Sequence, residues 1–350
     1  MENIVSPRRL LYIDALTVLA CFSVVMLHTN SAVFSYRQGQ TWHWINVPIE
    51  FVFLWAVPVF LMISGATIIG YNKKYDLKTY ATHRIKRAVI PFLFWNAFGL
   101  VVDIFVFHTV EQGLGARSYL QMLISISSPT LNILWFFMPL FAFYLCAPAL
   151  SSIPEEKRIR IFTYLILISF ITIFLLPNIC TVFGLTYNSE IENPMASGFL
   201  IYPLLGYVLS RISIPRKIEI GIHAAGFLGL IAMVCGTWLK SSQANSLILF
   251  LSDAQSTAVL FMSTSIFLLA KRINRRIETI PSATWLLSRI PPLCLGIYFT
   301  HRFFLVIITH YFPGSYLLWW WPLLLGPTIF VISATAARVL QLIPVIKHLI

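Results

Sequence analysis

Residues 10–30 read LLYIDALTVLACFSVVMLHTN, an apolar run that continues to about Phe34 and holds one carboxylate, Asp14, and one imidazole, His28. Such a block is long enough to cross about 30 Å of hydrocarbon as a helix. In lipid the backbone must bond to itself, and a helix does so. The run is too long for the apolar core of a cleaved leader and lacks a small-residue cleavage site, so it reads as a retained first span.

The same kind of block recurs along the chain. Spans are predicted at about 10–34, 46–70, 88–109, 132–150, 159–177, 195–213, 218–239, 247–270, 291–309 and 319–342. The composition, 58% hydrophobic and 11% charged, lies far from the roughly 45–50% and 25% of soluble domains. The alternation of a membrane barrel is absent. The fold class expected is all-α: a polytopic membrane bundle of about ten helices, formed by residues 1–350 as one domain.

Charge tests this layout. With the N-terminus inside, all but four of the 25 basic residues fall in inside segments, from Arg8 and Arg9 to Lys347. The exceptions are Arg37, Arg117 and Lys240 outside, and Arg302 within a span. Basic residues gather on the cytoplasmic side, so both termini are expected there and the protein in the inner membrane. The net charge of +12 therefore reflects topology rather than a nucleic-acid partner. Trp42, Trp44 and Trp319 to Trp321 sit at predicted outer boundaries, where interfacial aromatics belong. The outer loop 108–131 contains Gly113, Gly115 and Pro129, and the outer loop 177–194 carries Glu190 and Glu192.

Ionisable groups inside spans are costly and face a cavity or the bundle interior. Asp14, Thr17, Cys21 and His28 share one face of the first helix. Asp14 is about 21 Å of helix rise from His28 and so belongs to the inner mouth. Cys294, Tyr298 and His301 share a face of the ninth span, with Arg302 beside them. Glu50, Asp103 and Asp253 lie toward the outer half, either as one polar cavity with a histidine or as unrelated boundary residues. His83-Arg84-Ile85-Lys86-Arg87 enters the third span from inside, as a topology anchor or as a clamp for a phosphate-bearing donor. Five scattered cysteines read as small buried hydrophobes, and no metal-ligand spacing is present. There is no P-loop, no dinucleotide fingerprint, no zinc-protease motif and no nucleophile elbow.

Five segments, in order, resemble the acyltransferase-3 family of integral membrane acyltransferases, and its enterobacterial common antigen O-acetyltransferase branch. They are Ile13-Asp14-Ala15-Leu16 running on to His28; Val57-Pro58-Val59-Phe60-Leu61-Met62-Ile63-Ser64-Gly65; Arg84 and Arg87 followed by Pro91; Leu134-Trp135-Phe136-Phe137; and Leu295-Gly296-Ile297-Tyr298-Phe299-Thr300-His301. The chain departs from the family pattern at Thr17, where an arginine is usual, at Ile133, where a histidine is common, and at His83, often arginine.

The resemblance implies transfer of an acyl group, commonly acetyl, from cytoplasmic acyl-CoA to a hydroxyl of a cell-surface glycan or its lipid-linked precursor. Acetyl-CoA is then a donor substrate, and no resident cofactor is expected. His28 is the expected catalytic base, and Arg84, Lys86 and Arg87 the donor-binding cations. Asp14, Ser64, Trp135, Tyr298 and His301 are expected to line or support the pathway. Two other readings stay open: a transporter or flippase of a lipid-linked sugar or acylated intermediate, and a non-catalytic partner in glycan assembly.

Overall fold

The computed structural model describes residues 10–35, 43–188, 198–314 and 318–350. Arg8, Arg9, Arg37, Trp42, Glu190 and Glu192 lie outside the described residues, as does the side chain of Trp44. The described chain is about 80% helical and has no strand, as the composition predicts.

Fifteen α-helices follow in order among the described residues. They are α1 Leu11–Thr29, α2 His43–Phe53, α3 Ala56–Ile68, α4 Leu77–Arg84, α5 Ile90–Phe105, α6 Ala116–Ser125, α7 Phe137–Ser152, α8 Glu155–Ser169, α9 Leu176–Phe183, α10 Ile201–Arg211, α11 Arg216–Ala244, α12 Thr257–Glu278, α13 Pro281–Arg289, α14 Cys294–Tyr311 and α15 Trp321–Leu340. Several of these join into longer rods. A π-turn over Ile85–Val89 links α4 to α5, and another over Phe170–Leu175 links α8 to α9. A π-turn inserts an extra residue into a helix and is frequent at functional sites. Asp76 starts the α4–α5 rod by accepting the Thr79 backbone N–H at 3.0 Å, an N-cap.

Among the described residues, eight helical stretches are long and apolar enough to cross a membrane: Leu11–Thr29, Ile45–Lys73, Leu77–Phe105, Asn132–Ser152, Glu155–Phe183, Arg216–Ala244, Pro281–Tyr311 and Trp321–Leu340. The protein is a multi-pass membrane protein. The predicted sixth and eighth spans are where structure and sequence part. Helix α10 has only 11 residues, about 16 Å of rise, and the start of its predicted span lies outside the described residues. Helix α12 has 22 residues, but its last two turns carry Lys271, Arg272, Arg275, Arg276 and Glu278.

The predicted span 247–270 also begins too early, because residues 247–256 are not helical. This apolar segment is instead a strap across α11. The Ile248 and Phe250 amides donate to Ser241 Oγ and Thr237 Oγ1, both at 2.9 Å. Lys240 Nζ sits 4.9 Å from the centre of the Phe250 ring. An irregular backbone at membrane depth is tolerated where protein groups satisfy it, and periodicity cannot foresee side chains reaching up from a neighbouring helix.

The main core joins α1, α3, α5, α7, α10, α12 and α14. Helices α3 and α10 approach so closely that a Cβ on Gly65 would overlap the Pro203 backbone, and one on Gly206 the Met62 backbone. Small residues at crossings let membrane helices pack this way. Trp95, Phe299 and Phe137 stack in sequence, with ring centres 5.3 Å and 5.7 Å apart. This stack ties α14 to α5 and α7. Large side chains such as Leu145, Phe183 and Val331 point outward, as lipid-facing residues do.

Candidate active site

Helices α1 and α14 lie side by side and run parallel. Near the end of α1 and midway along α14, His28 Nδ1 is 2.9 Å from His301 Nε2. The two rings are nearly parallel, inclined by 18° with centres 5.1 Å apart. His301 is fully buried, whereas His28 is half-buried.

The proton positions of this pair follow from its acceptors. His301 Nδ1 is 3.1 Å from the Ile297 carbonyl oxygen, which can only accept, so Nδ1 carries the hydrogen. In a neutral imidazole the other nitrogen is then bare. Nε2 of His301 therefore accepts from Nδ1–H of His28, and Nε2 of His28 keeps an unshared lone pair. A backbone carbonyl thus fixes the tautomer of one ring, and that ring fixes the other. Such a histidine is built to take a proton.

Two cavities lie at the basic end of the bundle, and neither is lined by His28 or His301. The outer one is about 860 Å³ and is lined by Lys86, Arg87, Ile90, Pro292 and Leu295 together with Lys347 to Ile350. The inner one is about 290 Å³, and Arg87 and Leu295 line it as well. Five aromatic side chains line it: Phe60, Phe136, Phe137, Tyr144 and Tyr298. At its deep end are Thr17, Cys294 and Tyr298. The Tyr298 ring centre is 6.0 Å from that of His301, and Cys294 is seven residues, about 10 Å of rise, before His301. Tyr298 is fixed by donating its hydroxyl to the Ile133 carbonyl at 2.5 Å. The isoleucine at 133 therefore takes part through its backbone, which a histidine there would also offer.

The remaining sequence-predicted residues divide clearly. Lys86 and Arg87 are exposed within the π-turn and line the mouth. Arg84 does not; its guanidinium lies over Tyr80 and Tyr144, 5.6 Å and 5.4 Å from the ring centres. His83 packs edge-on against Tyr75. Asp14 is half-buried near the start of α1, far from His28. Ser64 donates to the Phe60 carbonyl of its own helix at 2.9 Å. Trp135 is 44% exposed and leans on Phe199; of its segment, Phe136 and Phe137 face the cavity.

The three outer carboxylates do not form one chamber. Asp103 is fully buried and binds a loop, accepting from Ser128 Oγ, Thr130 Oγ1 and the Thr130 amide. Arg302 reaches the same loop, donating to the Thr130 and Pro129 carbonyls at 3.3 Å and 3.4 Å. Asp253 accepts the Gln255 amide in the turn before α12. Glu50 is tied to the residue two beyond His28, accepting from Asn30 Nδ2 at 3.0 Å. Asn30 also donates to the Asn46 carbonyl at 2.9 Å, and both asparagines are fully buried with polar atoms left unpaired. The sequence reading missed Asn30 and Asn46. Their signal was an amide two residues beyond an intramembrane histidine.

The bundle thus holds a His28–His301 pair and, opening from a basic mouth, a cavity partly lined by aromatic side chains. The profile of the acyltransferase 3 family, described as an acyltransferase domain, matches residues 10–338, and the chain belongs to that family. No curated protein and no solved structure matches it.

Proposed function

We propose that the protein is a membrane O-acyltransferase of the inner membrane, moving an acyl group, most simply acetyl, from cytoplasmic acyl-CoA to a hydroxyl of a cell-surface glycan or its lipid-linked precursor. The observation that carries this reading is the His28–His301 contact at 2.9 Å with His301 Nδ1 held by the Ile297 carbonyl. The resemblance to the enterobacterial common antigen branch suggests the acceptor class.

In this reading Lys86 and Arg87 hold the phosphates of the donor at the mouth. The thin pantetheine arm runs through the aromatic cavity past Phe136, Phe137 and Tyr298. Nε2 of His28 takes the proton from the acceptor hydroxyl, a task suited to an imidazole near neutral pH. The alkoxide oxygen forms a bond to the thioester carbonyl carbon, the carbon–sulfur bond breaks, and the departing thiolate takes the proton back from His28. One proton and one acyl group move, and the histidine is regenerated. Of the two departures from the family pattern, Thr17 lines the cavity without charge and Ile133 takes part through its carbonyl.

The test is acyl-CoA consumption and free-thiol release in purified membranes. His28→Ala is expected to abolish both at an unchanged protein level, together with loss of an acetyl ester from envelope glycans by mass spectrometry. Full activity in that variant defeats the assignment. Movement of a lipid-linked sugar with no acyl-CoA consumed by the wild type makes the protein a transporter instead.

A further inference from the structure

The end of the chain folds back into the basic mouth. After α15, Gln341 Nε2 donates to the Pro292 carbonyl at 3.1 Å. A short turn over Ile346–His348 follows. The Trp95 indole N–H then donates to the Leu349 carbonyl at 2.8 Å, and Ile350 packs half-buried against the main core. Trp95 lies two turns beyond Arg87 on the same rod, so the tail enters the bundle rather than lying along its surface. These contacts set Lys347 and His348, both exposed, on the cavity that Lys86 and Arg87 also line.

We propose that Lys347 and His348 bind the nucleotide phosphates of acyl-CoA, completing a cationic collar with Lys86 and Arg87. The inference rests on the acyl-CoA reading above and deepens it. A CoA nucleotide carries a pyrophosphate and a ribose phosphate, more negative charge than two basic side chains neutralise. The cavity of about 860 Å³ supplies further donors from a distant part of the sequence. Arg87 and Leu295 belong to both cavities, so phosphates held in the collar leave the pantetheine arm at the opening of the aromatic cavity. Basic residues that served only as topology anchors would have no reason to converge on one cavity from positions far apart in the sequence, Lys86 and Arg87 on one side and Lys347 and His348 on the other.

The experiment compares two donors, acetyl-CoA and acetylpantetheine, which carries no phosphate, in vesicles of zwitterionic lipid with and without anionic lipid. Lys347→Glu is expected to raise KM for acetyl-CoA roughly 3- to 10-fold, the scale of reversing one solvent-exposed charge contact, with kcat retained. His348→Ala is expected to raise it less, and Lys347→Arg to restore it. The KM for the shortened donor is expected to stay within about twofold of wild type. An unchanged KM for acetyl-CoA overturns the inference while leaving the acyltransferase reading standing. Equal losses for both donors overturn it in favour of a structural tail. A shift seen only with anionic lipid overturns it in favour of lipid headgroups. A wild type inactive with both donors defeats the acyltransferase reading and this inference together.

Discussion

The Cys21 thiol points at the Cys294 carbonyl oxygen, 3.6 Å away, seven residues before His28 on α1 and seven before His301 on α14. The two helices therefore run parallel and in register between these contacts. The histidine pair is not a chance encounter of long side chains but the next-but-one turn of a packed seam, which Cys21, Val25, Cys294 and Ile297 fill.

That seam gives His301 a separable role. It touches His28, not the expected substrate, so it positions the base. His301→Leu is expected to lower kcat for thiol release roughly 10²- to 10⁴-fold, the range for loss of an oriented base. His301→Gln, whose side-chain oxygen can accept from His28 Nδ1–H, is expected to recover part of the rate. A purely structural histidine would show no such rescue, and a fully active leucine variant would refute the role.

Tyr298→Phe removes the donor to the buried Ile133 carbonyl. An orphaned buried acceptor costs about 1–3 kcal/mol. A lower thermal midpoint of the detergent-solubilised protein is expected, and an unchanged midpoint would mean that another donor takes over.

The two arginines that the sequence treats alike are expected to behave differently. Arg87→Ala should raise KM for acyl-CoA, because Arg87 lines both cavities. Arg84→Ala should instead lower thermal stability by about 0.5–2 kcal/mol, the scale of cation–π contacts, since its guanidinium lies over Tyr80 and Tyr144. Steady-state kinetics beside melting curves checks both, and the reverse pattern would place Arg84 at the donor.

Gly206→Ala is expected to destabilise the protein by about 1–3 kcal/mol, as overpacking does, because the new Cβ would overlap the Met62 backbone. Gly221→Ala on α11 is the control. Its Cβ would meet nothing within 4 Å, so it should be neutral or stabilising by up to about 1 kcal/mol. Equal midpoints for the two variants would contradict the close crossing of α3 and α10.

Much of this was legible in the sequence because membrane solvation writes itself in long blocks. The spans around His28 and His301 are apolar runs with a few polar interruptions, and the two histidines among those interruptions are in contact. The strap at residues 247–256 was not legible, because its apolar side chains suit a helix while Ser241, Thr237 and Tyr202, on other elements, satisfy its irregular backbone. Trp135 and Arg84 were misplaced for a related reason. Motif membership says which segment matters, while the direction of each side chain depends on the helix rotation. The π-turn at Ile85–Val89 sets that rotation for Lys86 and Arg87 without any glycine or proline inside it.

The histidine contact joins positions 273 residues apart. At about 5–20 residues per second of protein synthesis, His28 waits roughly 15 to 55 seconds after its own translation before its partner emerges. Throughout that interval a nascent chain with most of its spans already inserted holds an imidazole whose tautomer nothing has yet chosen. The histidine pair is thereby completed only when the penultimate membrane crossing is in place.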